Sequence, residues 1–158
     1  MKNVRKLLLF LVLVSIFYAS NTPGIKATDP TTWVHSPSLK PNATLGTILV
    51  PPSDFYEPWE LDISAEFIAR KLAHFLFFGS VGLLFLLNLK PNKKAPWLAS
   101  VFAALFAFTD EIHQAFIVNR DGRIMDVVFD SLAAFLFILI AVKIRKKRSS
   151  IIHKAKDC

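Results

Sequence analysis

Four stretches of the chain stay apolar long enough to form helices that cross a bilayer, and polar side chains recur near one end of three of them. The first stretch runs from Val4 to Ser20, behind Lys2, Arg5 and Lys6. At about 17 residues it stands at the short limit for a span. Phe17-Tyr18-Ala19-Ser20 and Ile25-Lys26-Ala27 supply the small residues of a cleavage site badly, so the stretch reads as a retained first helix rather than a secretion signal. Residues 21–63 are the least hydrophobic part. Pro23, Pro30, Pro37, Pro41, Pro51, Pro52 and Pro58 punctuate them, and each removes an amide donor that a long helix needs. The expectation is a long, partly ordered extramembrane loop. Its Trp33, Phe55, Tyr56 and Trp59 either rest on the membrane interface or lie on a plain loop surface.

A second span is expected over 65–89, capped by Asp62 or Ser64. Its apolar part, Leu72 to Leu89, is interrupted by little except His74, Ser80 and Asn88. Arg70 and Lys71 stand at its start, where their stems let the charge reach water. Gly79, Ser80 and Gly82 form a patch that lets another helix come close. After the basic turn Lys90 to Pro96, a third span is expected over 96–116. Ser100, Ala103, Ala104, Ala107, Glu111 and Gln114 share one side of it at helical spacing. That side is expected to pack inward, leaving most of Phe102, Phe106 and Phe108 to lipid. The fourth span, 124–145, carries Asp126 and Asp130 as the only charges between Ile124 and Val142. Four residues apart, they share a face, together with Arg123, Ala133 and Phe137. Residues 146–158 read as a basic, frayed tail.

This pattern predicts an all-α membrane protein of four transmembrane helices, forming one domain over 1–158. Composition agrees: 53% of residues are hydrophobic and the mean hydropathy is +0.44. Charge adds orientation. Of 19 Lys and Arg, only Lys26, Lys40, Arg70, Lys71, Arg120 and Arg123 fall on the side of the long loop. The rest flank the other ends of the spans, so the positive-inside rule puts both termini in the cytoplasm and the long loop after the first helix outside. No basic stripe is interleaved with exposed aromatics, which argues against nucleic acid as a partner. Cys158 is the only cysteine; it excludes a disulfide framework within the chain and reads as a free tail thiol. With five glycines there is no phosphate-cradling loop, and no Gly-x-Ser-x-Gly nucleophile motif occurs.

The candidate chemistry lies in Thr109-Asp110-Glu111-Ile112-His113-Gln114 and the following loop with Arg120 and Arg123. Ionisable groups at the end of a membrane span are costly and by default mark a function. His74, Glu111, Gln114, Asp126 and Asp130 should converge on one membrane face as a shallow polar pocket. Four readings stay open, one of them ion or proton transport along these groups. The groups satisfy one another and fix helix register. Or they bind an anionic molecule, with Arg120, Gln114, Arg123, Asp130 and Lys71 as the binding set and the arginines as phosphate or carboxylate donors. Or Glu111, Asp126 and His74 perform acid–base catalysis. His74, Glu111, His113 and Asp126 are of ligand type, but no metal site is expected, because no Cys or His-x-x-x-His pattern is present and His113 lies two residues past Glu111 and points to the other side of the helix. For the same reason His113 is expected at the interface, and Asp110 toward solvent or the loop. No cofactor is expected.

At these residues the chain resembles the VanZ-like family of small bacterial membrane proteins. The matching pieces are Lys71-Leu72-Ala73-His74-Phe75, Asp110-Glu111-Ile112-His113-Gln114-Ala115-Phe116, and Arg120-Asp121-Gly122 leading to Asp126-Val127 and Asp130-Ser131-Leu132. Order and spacing fit over roughly 66–140; residues 1–65 match only in having a span and a loop. Val118-Asn119 stands where the family commonly has Pro-Gly, and Ala133 where it usually has glycine. The resemblance implies a multi-pass protein of the bacterial cell membrane. The family takes its name from a protein linked to teicoplanin resistance, so the implied role is at the cell envelope, lowering glycopeptide action without remodelling the peptidoglycan terminus. The expected partners are membrane lipids and an anionic envelope lipid or cell-wall precursor.

Overall fold

The computed structural model describes residues 2–60 and 62–156; Cys158 lies outside them. Among the described residues the architecture is helical: α1 (Lys2–Ser20), α2 (Leu45–Leu49), α3 (Ala65–Asn88), α4 (Ala95–Phe116) and α5 (Ile124–Lys156). All but α2 are long and apolar enough to cross a membrane. Their outward positions are large and apolar, as at Phe10, Leu11, Leu72, Leu76, Phe102, Leu105, Leu132 and Leu136. An apolar belt of that extent is unfavourable in water and favourable in lipid.

Local chemistry fixes the helix limits. Ser64 caps α3 by accepting from the Phe67 amide, and Asp62 in turn accepts from the Ser64 amide and hydroxyl. Both expected cap residues therefore act, in series. Pro91 follows the end of α3, and Pro96 sits in the first turn of α4, where its missing amide costs nothing. The expected frayed tail after 145 is instead a continuation of α5 to Lys156. Nothing in Lys143-Ile144-Arg145-Lys146-Lys147-Arg148 breaks a helix, so the end of hydrophobicity is not the end of the element.

The four long helices run alternately up and down. α3 packs most extensively on α5 and runs parallel to it: Lys71 meets Asp126 and Phe75 meets Phe129 near their starts, while Leu83 and Arg145 line a common hollow further on. The glycines make this approach possible. A Cβ at Gly79 would lie 2.7 Å from the Phe137 ring, and one at Gly82 would lie 2.8 Å from Ala134. α4 lies antiparallel against both, inserting Ala95, Ala99, Ala103 and Ala107, all buried. The expected inward side is found in part: Ala103, Ala107, Glu111 and Gln114 are buried, whereas Ser100 and Ala104 are half-buried and the stripe runs through Ala99 instead. The phenylalanines divide, however. Phe102 is exposed, whereas Phe106 packs on Phe78 and Phe108 on Phe55. A stripe of alanines leaves hollows beside the helix, and the two rings at its edges fill them.

α1 runs antiparallel to α3. Arg5 Nη1 donates to the Leu87 carbonyl, and Asn88 Nδ2 donates to the Arg5 carbonyl. The loop after α1 is tied down at three places. Glu66, in the first turn of α3, accepts from the amides of Ala27 and Thr28 and from the Thr28 hydroxyl. Residues 38–40 pair with the α4–α5 connection, Val118 N donating to Ser38 O and Lys40 N to Phe116 O. Phe55 is 2% exposed and anchors the loop in the core, rather than resting on an interface or a surface; Trp33 and Tyr56 are exposed.

Candidate functional site

The polar residues gather where α1 and α4 end and α3 and α5 begin. The α4–α5 connection makes this possible. Asn119 takes a left-handed conformation, φ 55°, which asparagine tolerates better than most residues. Gly122 then lies so close to α4 that a Cβ would fall 1.8 Å from the Glu111 carbonyl oxygen. The connection thereby doubles back over the last turns of α4, and two of its groups reach the helix. The Arg123 amide donates to Glu111 Oε2 at 3.0 Å, and the Arg120 guanidinium donates through Nη2 to Gln114 Oε1.

Gln114 is the hinge of the arrangement. Its amide nitrogen donates to Asp110 Oδ2 at 2.8 Å and to Glu111 Oε1 at 3.2 Å, while its oxygen takes the arginine. An amide is the group for this place, because it presents donors to two acids and an acceptor to a cation at once. Glu111 is 1% exposed, Gln114 4%, Asp110 6% and Arg120 8%. Across the bundle, Lys71 pairs with Asp126, and its ammonium stands 3.9 Å from the centre of the Trp59 ring. One turn deeper, His74 donates through Nδ1 to Asp130 Oδ2 at 3.1 Å. Asp130 is wholly buried, and its Oδ1 has no partner among the described residues.

Of the residues singled out in the sequence, His74, Glu111, Gln114, Arg120, Asp126, Asp130 and Lys71 all lie in this region. Arg123 is there through its backbone; its guanidinium turns away to the Pro58 carbonyl and toward Asp121. Two expectations need correction. Asp110, expected to face solvent or the loop, is buried inside the bundle, because the stripe Ala99, Ala103, Ala107 continues through Asp110 and Gln114 at helical spacing. His113 does face away from the cluster, but against α1, its ring stacked on Phe17 at 5.1 Å. The expectation of no metal site weighed His74, Glu111, His113 and Asp126 and rested on the orientation of His113 and on the lack of a Cys or His-x-x-x-His pattern. Asp130 stands in the place of His113: ligand atoms of His74, Glu111 and Asp130 all lie within 4.8 Å of one another.

A cavity of about 310 Å³ adjoins the polar region between α1, α3 and the first loop. Ile16, Ala19, Ala73, Phe77 and Phe78 give it an apolar wall. Its polar end carries Ser20, His74, Asp110, Arg70 and Arg120. Arg120 Nε has no partner among the described residues. The expected pocket was drawn from three helices and their connection, so it omitted Ser20 and Arg70. What points to Ser20 is its position at the end of the first span, a small residue facing the ends of the others.

The model of the VanZ/LLP1 family matches residues 6–145. The chain belongs to the VanZ/LLP1 family. The match takes in most of α1, the long loop and all of the polar region, so the family likeness extends well upstream of the 66–140 segment where single residues carry it. Neither the curated proteins nor the solved structures contain a match. Family and apolar helices together describe a multi-pass membrane protein.

Proposed function

We propose that this VanZ-family protein binds an anionic amphiphile of the bacterial envelope, a lipid or a cell-wall precursor carrying phosphate, in the cavity between α1 and α3. The observation that carries the reading is Arg120: a buried guanidinium lining the polar end of a cavity whose other walls are apolar. Apolar walls with a few convergent polar groups suit a ligand with a chain and a head, and guanidinium is the side chain best matched to phosphate oxygens. Arg70 adds a second cation at the mouth. Both termini lie in the cytoplasm in this reading and the cavity opens on the outer side, as the basic residues beside the 90–94 turn and along the end of α5 favour. Holding or masking such an amphiphile at the outer surface would lower teicoplanin susceptibility without altering the peptidoglycan terminus.

The test uses the detergent-purified chain and a fluorescent short-chain phosphatidylglycerol, with the corresponding phosphatidylcholine as control. Wild type should bind the anionic lipid and Arg120→Gln should bind it at least about tenfold more weakly, a loss in keeping with one charged hydrogen bond. Equal binding of both lipids, or no effect of Arg120→Gln in a folded protein, would remove the proposal. In a glycopeptide-sensitive Gram-positive host, protection by wild type and not by Arg120→Gln at matched membrane levels would join the cavity to the resistance role.

The cluster of His74, Glu111 and Asp130 also favours a second reading, a membrane-embedded enzyme with Glu111 as base. Asp126 is less suited to that part, since Lys71 engages it. Glu111→Gln separates the two readings: it ends catalysis and leaves lipid binding in place.

A further inference from the structure

Four carboxylates are buried at the polar end of the bundle, on Asp110, Glu111, Asp126 and Asp130. Two cationic side chains meet them there: Lys71, on Asp126, and Arg120, on Gln114. Arg123 spends its guanidinium outside, on Pro58 and Asp121, and Arg70 is exposed. Fully ionised, the four acids outnumber these two cations. Unbalanced charge in a low-dielectric interior is costly, so the deficit is filled by protons or by a bound cation. Lys71 engages Asp126, and Arg120 reaches the acids through Gln114, so among the described residues no Lys or Arg side chain bonds directly to Glu111 or Asp130; His74 is the partner of Asp130.

We infer that His74, Glu111 and Asp130 bind one divalent transition-metal ion, zinc or manganese. Imidazole with two carboxylates is a borderline-to-hard donor set that suits these ions. The geometry is close to what an ion needs. Two ligand atoms about 2.0–2.1 Å from a tetrahedral ion stand roughly 3.3 Å apart; His74 Nδ1 and Asp130 Oδ2, which share a hydrogen bond, are 3.1 Å apart, and the ion would take the place of the proton between them. One ligand atom from each of the three residues lies within 4.8 Å of the others. Asp130 Oδ1, wholly buried and unpartnered, is the orphaned acceptor that such an ion would satisfy. Glu111 is already oriented by the Arg123 amide and by Gln114, the kind of outer support that ligating carboxylates receive. His74 lines the α1–α3 cavity as well, so the ion lies at the cavity wall. The inference does not depend on the amphiphile, because metal retention is read without lipid.

The test takes the full chain, purified in detergent with a tag free of histidine, stripped with chelator and reloaded with Zn²⁺, Mn²⁺ or Mg²⁺ alone. After desalting, wild type should keep about one Zn²⁺ or Mn²⁺ per chain and little Mg²⁺. Asp130→Asn and His74→Gln should each bind at least about tenfold more weakly, since even loss of an outer partner costs that much. X-ray absorption of zinc-loaded wild type reads the site without any variant, and should give one imidazole nitrogen with oxygen donors at about 2.0–2.2 Å. Absence of stoichiometric metal in folded wild type, a shell lacking nitrogen, or variants that fold and bind as wild type does would each overturn the inference.

Discussion

Gly122 shows how a residue without chemistry governs the residues that have it. It carries no functional group, yet it lets the connection lie against Glu111 and so delivers the Arg123 amide and the Arg120 guanidinium to their partners. A methyl group there would overlap a backbone carbonyl, which cannot move without bending α4. Gly122→Ala should therefore cost about 3 kcal/mol, the upper end for overpacking. Thermal unfolding in detergent should show it, and phosphatidylglycerol binding should fall with it, because Arg120 is displaced. An unchanged melting temperature would mean that the connection does not hold the site. Much of the polar set was legible: His74, Glu111, Gln114, Arg120 and Asp130 stand out because charge inside apolar runs is rare. Asp110 was misjudged because two neighbouring acids on one helix compete for the inward face, and here both fit. Gln114, four residues past Asp110 and three past Glu111, donates to each. The pairing of Lys71 with Asp126 and of His74 with Asp130 crosses between helices, and no spacing within one helix encodes it.

The helices themselves were easier to read than their faces. Hydropathy marks a span wherever lipid must be matched, so the limits of α1, α3 and α4 follow from the sequence. The end of α5 does not, because a helix continues in water as long as nothing breaks it. At 33 residues it measures about 50 Å and outruns a hydrocarbon core of ~30 Å. Which face turns inward is decided by size. Gly79 and Gly82 on α3 and the alanines of α4 bring backbones close, which favours association where lipid removes the hydrophobic drive. Gly82→Leu should separate α3 from α5 at Ala134 and destabilise the bundle by about 2–3 kcal/mol. Leu105→Phe, on the exposed face of α4, should change little. Both are measured as the temperature at which half the detergent-solubilised protein stays monodisperse. Equal effects would mean that the small-residue seam is not what holds the helices together.

For the whole molecule, the helices and the family establish a protein within the membrane, and the remaining question is which end faces out. Arg5 sits beside Leu87 and Asn88, so the N-terminal basic residues, the 90–94 turn and the basic end of α5 share one end of the bundle. The opposite end bears the long loop, pinned by Glu66 and by the pairing with residues 116–118, and the polar site lies beneath it. With positive charge concentrated at one end, the cytoplasmic side is expected there. A cysteine-free background made with Cys158→Ser gives a direct reading. Ser36→Cys, in the exposed long loop, and Ser149→Cys, on the exposed end of α5, are treated in whole cells with a membrane-impermeant maleimide. Ser36→Cys should be labelled in intact cells and Ser149→Cys only after permeabilisation. The reverse pattern would turn the cavity toward the cytoplasm. An anionic amphiphile held there could not be shielded from an external glycopeptide, and the proposed route to resistance would fail even if lipid and metal both bound.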